Sequence, residues 1–229
     1  MRTIGLIGGM SWESTAIYYR LLNEGARYRL GGLHSAEILL WSFDFAEIEA
    51  LQGAGDWEGA TERMVDAARA LERGRAECLV ICTNTMHKMA EAVQDAVGVP
   101  LIHIADATAE AVRAAGSHKP LLLATRYTME QDFYRGRMQA QHGIAPLIPD
   151  ALGRQTVHQI IYDELCQGVV LPASRARYLD VIAASGEADG VIFGCTEVGM
   201  LLSPADLSLP CFDSTALHAG AALNFALGD

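Results

Sequence analysis

The sequence lacks several features that would place it in a membrane, secreted or nucleic-acid-binding class. No apolar run approaches the roughly 18 residues that a membrane-spanning helix needs, and the N-terminal "MRTIGLIGGM" has neither the length nor the cleavage site of a signal peptide. Basic residues are scarce, with 17 Lys and Arg against 28 Asp and Glu, and so acidic a surface repels nucleic acid phosphates. The five cysteines are odd in number and irregularly spaced, which disfavours a disulfide framework and predicts a cytoplasmic protein.

Sequence signatures of cofactor binding are also missing. The seven histidines form no H-E-x-x-H or H-x-H cluster that would predict a metal site. The glycine-rich turn "GGMS" has neither the spacing of a dinucleotide-binding loop nor the lysine of a P-loop. The sequence therefore predicts a protein that needs no metal and no organic cofactor.

Apolar runs of strand length alternate with segments of helical periodicity. The runs include "TIGLIGG", "CLVIC", "VPLIHI", "PLLLAT", "DGVIFG" and "LPCF". A helix is predicted between two of them because apolar residues recur at helical spacing at Trp57, Ala60, Met64, Ala67 and Leu71. Strands that are apolar on both faces are typical of parallel sheets covered by helices on both sides, so the pattern predicts an α/β protein.

An internal repeat predicts two similar halves. "LVICTNTMH" resembles "VIFGCTEVG", which aligns Thr83 with Cys195, and "VPLIHIADAT" resembles "LPCFDSTA", which aligns Pro100 with Pro210. The turn after the first strand aligns Gly8 with Thr125. We expect one α/β domain over residues 1–105 plus 206–229, because the last strand is predicted to return to it, and a second over residues 106–205.

Polar triplets follow two of the predicted strands. Thr-Asn-Thr occupies residues 83–85 and Cys-Thr-Glu occupies residues 195–197, each at the carboxyl end of a strand and before a predicted helix. Ligands of α/β proteins bind at such strand ends, and free N–H groups at a helix N-terminus suit a carboxylate. Helix capping is an alternative explanation for Thr83, Asn84 and Thr196. The duplication favours an active site in the cleft between the domains, where the helix dipole is expected to lower the pKa of the Cys195 thiol.

Several motifs resemble the aspartate/glutamate racemase family over essentially the whole chain. They are "IGLIGGMSWESTAIYYR", "CTNTMH", "HIADAT", "ATRYTM", "FGCTE" and "FDSTALHA". The resemblance implies two pseudo-symmetric domains, each with a mostly parallel sheet flanked by helices, and inversion of an amino-acid Cα without pyridoxal phosphate. It also implies a small amino acid as the substrate, acid/base groups on opposite sides of it, and a homodimer.

The chain departs from the family pattern at three places. The usual Cys-Asn-Thr reads Thr83-Asn84-Thr85, and Cys82, one residue earlier, is expected to point to the opposite face of its strand. The arginine that aspartate-specific members carry after the second strand is missing, and Cys166 replaces their lysine. Both cations hold the substrate's side-chain carboxylate, so their absence disfavours aspartate as the substrate. The Thr/Cys pair, with the sequence around it, resembles the broad-specificity amino-acid racemases.

The resemblance assigns roles to individual residues. Cys195 would deprotonate one enantiomer, and Thr83 would return a proton on the other face. Glu197 either tunes the Cys195 thiol or is an acidic residue in the first turn of a helix. His87 either hydrogen-bonds Thr83 or lies at the surface. The residues expected to contact substrate are Met10, Ser11, Gln52, Asn84, Thr85, Thr125, Thr196 and Glu197.

Two other functions are compatible with the same sequence. One is a different reaction of the superfamily, carried out by a decarboxylase or a dicarboxylate isomerase with a single active-site cysteine. The other is a non-catalytic amino-acid-binding protein, for which the missing first cysteine would mark lost catalysis.

Overall fold

The structure, a computed structural model, describes residues 1–228 and contains two compact units. The first comprises Met1–His103 and the residues from His218 onward, and the second comprises Ile104–Leu217. The strands are β1 (Ile4–Gly8), β2 (Ile38–Ser42), β3 (Cys78–Ile81), β4 (Leu101–Ile102), β5 (Leu121–Leu123), β6 (Val191–Phe193) and β7 (Cys211–Asp213). The α-helices are α1 (Trp12–Leu30), α2 (Phe45–Ala54), α3 (Trp57–Arg73), α4 (Ala90–Asp95), α5 (Ile104–Ala114), α6 (Arg126–Glu130), α7 (Asp132–His142), α8 (Ala151–Asp163), α9 (Pro172–Ala184), α10 (Val198–Leu201) and α11 (Ser214–Leu227).

The first unit is built on a four-stranded parallel sheet in the order β2-β1-β3-β4. All five residues of β1 and all four of β3 are buried, as expected of central strands covered on both faces. Ile7 and Ile81 pack with Met64 of α3 on one face, whereas Leu6 and Val80 pack on the other face. The predicted apolar stripe of α3 is confirmed, because its four inner members from Ala60 to Leu71 are all buried.

Alternation along β3 also places Cys82 away from the site residues. Cys82 packs on the face that carries Tyr18 and Val80, against residues of α1 and α11. Burial raises the pKa of its thiol, as it does for any thiol that loses contact with water. Cys82 is therefore a core residue, as the period of a strand predicted.

The second unit repeats the arrangement with three parallel strands in the order β5-β6-β7. The equivalence is visible in the backbone hydrogen bonds: Cys82 N–H donates to Ile7 O at 2.9 Å, and Gly194 N–H donates to Leu123 O at 2.8 Å. Thr83 and Cys195, one residue further on, are thus equivalent, as predicted. The same bonds match Ile7 to Leu123, so Gly8 is equivalent to Ala124 and not to Thr125.

The domain predicted for the last strand was wrong. Residues 206–217 were expected in the first domain, but β7 pairs with β6, with Phe193 opposite Asp213, and these residues belong to the second unit. The physical reason is the repeat itself, because β7 adds to β6 just as β4 adds to β3. The chain rejoins the first unit only within α11, at His218. Among the helices of residues 1–228, none is long and apolar enough to cross a membrane.

Candidate active site

The loop after β1 is fixed by hydrogen bonds to the first turn of α1. Thr15 Oγ1 accepts from Gly9 N–H at 2.8 Å and donates to Ser11 O at 2.9 Å, and Ser11 Oγ accepts from Ser14 N–H at 3.2 Å as the N-cap. Gly9 has a φ of 83°, and a Cβ there would lie 2.3 Å from the Phe43 backbone. Only glycine fits this position.

A helix follows β3 as predicted, but it begins as a 3₁₀-helix, a type that the sequence did not indicate. Thr85–Met89 form a 3₁₀-helix, which continues into α4. Asn84 occupies the N-cap position of this 3₁₀-helix, but its side chain makes no capping hydrogen bond there, so the capping interpretation is wrong for Asn84. Asn84 and Thr85 are both buried, whereas Thr83 is half-buried.

His87 and Gln52 both lie against this segment. His87 is 2% exposed and its Nδ1 donates to Thr83 O at 2.8 Å, so the expectation of a surface histidine is wrong. Gln52, on α2, is buried and its Nε2 lies 3.0 Å from Met86 Sδ, in hydrogen-bond contact. The structure thus brings Gln52, which is neutral, to the Thr83–Thr85 segment of the same unit.

At the equivalent position of the second unit, a thiol and a carboxylate are in direct contact. Cys195 Sγ donates to Glu197 Oε2 at 2.9 Å, and Glu197 is 3% exposed. Burial, followed by the negative charge of Glu197 and the influence of Cys166, raises the pKa of the Cys195 thiol well above its ordinary value. The thiol is therefore protonated in this arrangement.

The expected lowering of the Cys195 pKa is thus wrong, and the structure shows why. The helix that follows, α10, is a single turn of four residues whose N-cap is Glu197, two residues beyond the thiol. A one-turn helix carries little dipole, and a buried carboxylate in contact with the thiol opposes it. Of the two interpretations of Glu197, its contact with the thiol is the one that determines the chemistry of Cys195.

Other groups at the same edge of the second sheet were predicted in part. Thr125 is the N-cap of α6, with its Oγ1 accepting from Thr128 N–H at 3.4 Å, and Thr196 is buried next to Cys195. Asp213 ends β7 and accepts from the N–H groups of Thr215 and Ala216 at 2.9 and 3.2 Å. Burial raises the pKa of Asp213. Sequence reasoning missed Asp213, although it lies in the quoted motif "FDSTALHA" at a strand end.

Cys166 and Tyr178 complete the surroundings of Cys195. Burial raises the pKa of Tyr178 well above its usual value, with further contributions from Cys195, Glu197 and Cys166. Cys166 and Cys195 both pack against the core of the second unit, and the influence of Cys166 contributes to the raised pKa of Cys195.

His158 supports the loop that carries Thr125. Arg126 N–H points to His158 Nδ1 at 3.4 Å, and because an amide only donates, this nitrogen carries no proton. The ring also makes edge contacts with Tyr127 and Tyr162, at centroid distances of 6.1 and 4.7 Å. Burial, then the positive charge of Arg126, lowers the pKa of His158.

Stability should accordingly fall on acidification through His158. The folded-state pKa lies below the unfolded value of about 6.5, so the contribution is complete above that pH and is lost as the pH falls through the folded value. His158→Asn keeps an acceptor, Oδ1, for the same N–H but does not titrate. We expect the unfolding free energy of the wild type to drop more than that of this variant below about pH 6.5, measured by urea denaturation. Parallel pH curves would contradict the expectation.

The predicted site residues fall into two groups, one in each unit. Met10, Ser11, Gln52, Thr83, Asn84 and Thr85 belong to the first, and Thr125, Cys195, Thr196 and Glu197 to the second. Within each unit they lie at or next to the carboxyl ends of the strands, where ligands of parallel sheets bind.

Several known proteins are similar to this chain in sequence and in fold. A family model described as Asp/Glu/Hydantoin racemase matches residues 7–222. The chain belongs to this racemase family. A provisionally assigned Asp/Glu racemase of known crystal structure, from Yersinia pestis, is 52% identical, with 99% of this chain and 100% of that chain covered and a TM-score of 0.92. An aspartate racemase homologue from Pyrococcus horikoshii OT3 is 33% identical, with 99% and 100% covered and a TM-score of 0.85.

A curated relative is named a broad specificity amino-acid racemase. This protein, RacX of Bacillus subtilis, is 21% identical over an alignment of 173 residues that covers 72% of this chain and 71% of RacX. The racemase family and the α/β architecture of parallel sheets flanked by helices, both expected from the sequence motifs, are thereby confirmed.

Proposed function

We propose that this member of the racemase family interconverts L- and D-amino acids by moving the Cα proton, with broad specificity and without selectivity for aspartate. The observation that carries the proposal is the contact of 2.9 Å between Cys195 Sγ and Glu197 Oε2 at the end of β6. A thiol whose proton already points to a carboxylate has an internal acceptor for it, which is what a base at Cα needs.

The proposed reaction moves two protons. Glu197 takes the thiol proton of Cys195, and the resulting thiolate removes the Cα proton of one enantiomer, leaving the electron pair on Cα. The Thr83 hydroxyl gives its proton to the opposite face of Cα. Solvent returns a proton to the Thr83 oxygen, and Glu197 releases to solvent the proton that it took from Cys195, which restores the starting state. Asn84, Thr85, Thr125 and Thr196 are proposed to bind the α-carboxylate and the amine, with Met10 and Ser11 approaching from the loop after β1.

The remaining expectations from the resemblance belong to the same proposal. The reaction is proposed to need neither pyridoxal phosphate nor a metal, because general acid/base groups alone complete the proton transfers. All five cysteines are free, which suits a reducing cytoplasm. The homodimer rests on the family resemblance.

Solvent exchange at Cα tests the proposal directly. In D₂O, both racemisation, followed by chiral chromatography, and deuterium incorporation at Cα, followed by mass spectrometry, are expected for at least one neutral amino acid. Ligand binding with no exchange in either enantiomer would indicate a non-catalytic binding protein. Carbon dioxide release from substituted malonates without exchange of amino acids would indicate a decarboxylase.

Aspartate should be a poor substrate compared with neutral or longer amino acids. Gln52, which carries a neutral amide, lies near the position at which aspartate-specific members have an arginine. Cys166, which influences the pKa of Cys195, takes the place of their lysine. Arg154, in the second unit, is engaged by Glu130 at 2.8 Å. Initial rates over a panel of L- and D-amino acids should show this order. A dominant preference for aspartate would show that another cation holds its side chain.

Restoring a cation should reverse that order. Cys166→Lys is expected to raise kcat/KM for aspartate by about 10-fold or more, the effect of one partly desolvated ion pair, whereas Cys166→Met, of similar length and uncharged, should not. Both variants carry a longer side chain, so the comparison separates charge from size. Equal changes in the two variants would contradict a role for position 166 in the choice of side chain.

Replacing Glu197 by glutamine should lower both the rate of Cα exchange and the pKa of Cys195. The variant loses the carboxylate that accepts the thiol proton, so Cα exchange should fall by about 10²-fold. The pKa of Cys195 should fall as well, because the negative charge that raises it is gone, and alkylation by iodoacetamide should begin at lower pH. Glu187→Gln, at an exposed site of the same unit, is the control. Unchanged exchange in Glu197→Gln would remove Glu197 from the mechanism.

A further inference from the structure

Three imidazole rings are in contact in the interior of the first unit, one pair tilted and the other edge to face. His87 lies 4.7 Å from His103 and 5.4 Å from His218, measured between ring centroids, and all three are buried. They come from the 3₁₀-helix after β3, from the residue after β4 and from α11. Among residues 1–228, no group of three His, Cys, Asp or Glu side chains is arranged to hold a metal ion.

His218 has both ring nitrogens in hydrogen bonds that fix its orientation. Nε2 lies 2.7 Å from Ile102 O, and Nδ1 lies 2.8 Å from Tyr18 OH. A carbonyl only accepts, so Nε2 carries a proton, and in the neutral ring Nδ1 accepts from the Tyr18 hydroxyl. Tyr18 is itself buried in the core and meets the ring edge-on at 5.6 Å. His218 is thus a fixed surface against which His87 packs.

His87 in turn holds the backbone of Thr83. Its Nδ1 is 2.8 Å from Thr83 O, and because that carbonyl only accepts, Nδ1 carries a proton. Nδ1 therefore cannot take the proton of the Thr83 hydroxyl. The bond fixes the peptide plane between Thr83 and Asn84. This peptide lies after the end of β3 and before the first residue of the 3₁₀-helix, so it belongs to neither element.

We propose that His87 is a positioning residue for Thr83, held in place by its ring contacts with His103 and His218. The bond from His87 restrains the backbone that carries the Thr83 side chain, and we infer that this restraint keeps the hydroxyl directed at Cα, whereas Nδ1 of His87 does not accept its proton. This inference rests on the proposed racemase function and assigns a source to the geometry of its second proton donor. A displacement of about 1 Å of a reacting group costs about 10²-fold in rate.

Two substitutions separate this role from the general effect of a buried ring. Asn places its amide nitrogen at the same number of bonds from Cα as Nδ1, so His87→Asn keeps the donor to Thr83 O. Gln places its nitrogen one bond further, where Nε2 was, so His87→Gln removes that donor while staying polar. Both variants lose the imidazole ring and its contacts with His103 and His218 equally.

The experiment is run in D₂O and starts from the enantiomer that Cys195 deprotonates. Two products are measured: the opposite enantiomer, and the starting enantiomer that has gained deuterium at Cα. The quantity compared is the ratio of the first to the second. Cys195 can return deuterium to its own face without Thr83, so retention reports Cys195 and inversion reports Thr83. The ratio is taken within one reaction and does not depend on how much of a variant is folded. His87→Gln is expected to lower it by about 10–10²-fold, and His87→Asn to leave it close to the wild-type value.

Three outcomes would overturn the inference. An unchanged ratio in His87→Gln would show that the bond does not aim Thr83. An equal fall in both variants would assign the effect to the loss of the ring. If the wild type inverts its substrate and exchanges the Cα proton, either of these two results in the variants contradicts only the role of His87. If the wild type shows no exchange, the racemase function fails and the inference fails with it.

Discussion

Replacing Cys195 by alanine should abolish racemisation and Cα exchange, with a loss of about 10²–10⁴-fold or more in kcat. The thiol is the group that the structure places against Glu197, and alanine leaves that carboxylate with no proton to accept. Cys195→Ser should be nearly as inactive, because a serine hydroxyl is far less acidic than a thiol. Initial rates in both directions and exchange in D₂O measure the effect.

Cys82→Ala is the matched control. Cys82 is a buried thiol one residue before Thr83, and it packs in the core with Tyr18 and Val80. Its removal should cost about 1 kcal/mol of unfolding free energy through the small cavity and leave most of the activity. Near-normal turnover of the Cys195 variants would disprove the assignment of the catalytic thiol, and loss of activity in a folded Cys82→Ala protein would move it to Cys82.

Thr83→Cys should raise the rate of the slow direction by up to about 10²–10⁴-fold. Threonine is a poor proton acceptor, so deuterium should enter one enantiomer through Cys195 far faster than its mirror image. The equilibrium between enantiomers is still one to one, so the asymmetry must appear in the separate kcat and KM values and cancel in kcat/KM. A thiol at position 83 supplies the missing base at the position equivalent to Cys195.

Thr83→Ser is the control for this variant because it keeps a hydroxyl and, like cysteine, lacks the γ-methyl. The difference in deuterium exchange rate between the two enantiomers should remain as large in this variant as in the wild type. Equal exchange of both enantiomers in the wild type would show that Thr83 is not the weaker group. A folded Thr83→Cys protein whose slow direction stays slow would assign Thr83 to binding and place the second proton carrier elsewhere.

The repeat and the strand period were enough to predict much of the architecture. Alternation along β3 correctly separated Cys82 from Thr83, and the paired motifs correctly matched Thr83 with Cys195. The destination of β7 could not be obtained in this way. Its sequence fits a buried edge strand of either sheet, and only the pairing with β6 distinguishes them.

The errors at the site have a common cause. The sequence showed that Glu197 follows Cys195 by two residues. The pKa of the Cys195 thiol, however, depends on the length of α10 and on the burial of Glu197, which the sequence does not give. Likewise, His87 and His218 are 131 positions apart in the sequence, and no local pattern predicts that their rings meet. Local periodicity determines which face a residue occupies, whereas the electrostatics of a site depend on contacts between distant segments.

The proton held between Cys195 and Glu197 also bears on the survival of the protein under oxidative stress. Peroxides attack thiolates and react slowly with protonated thiols. Burial raises the pKa of Cys78 and of Cys211 to about 12, and the pKa of Cys195 is raised as well. Hydrogen peroxide is therefore expected to react slowly with these sulfurs. In the proposed mechanism, Cys195 would be open to oxidation only during the part of each turnover in which Glu197 holds its proton.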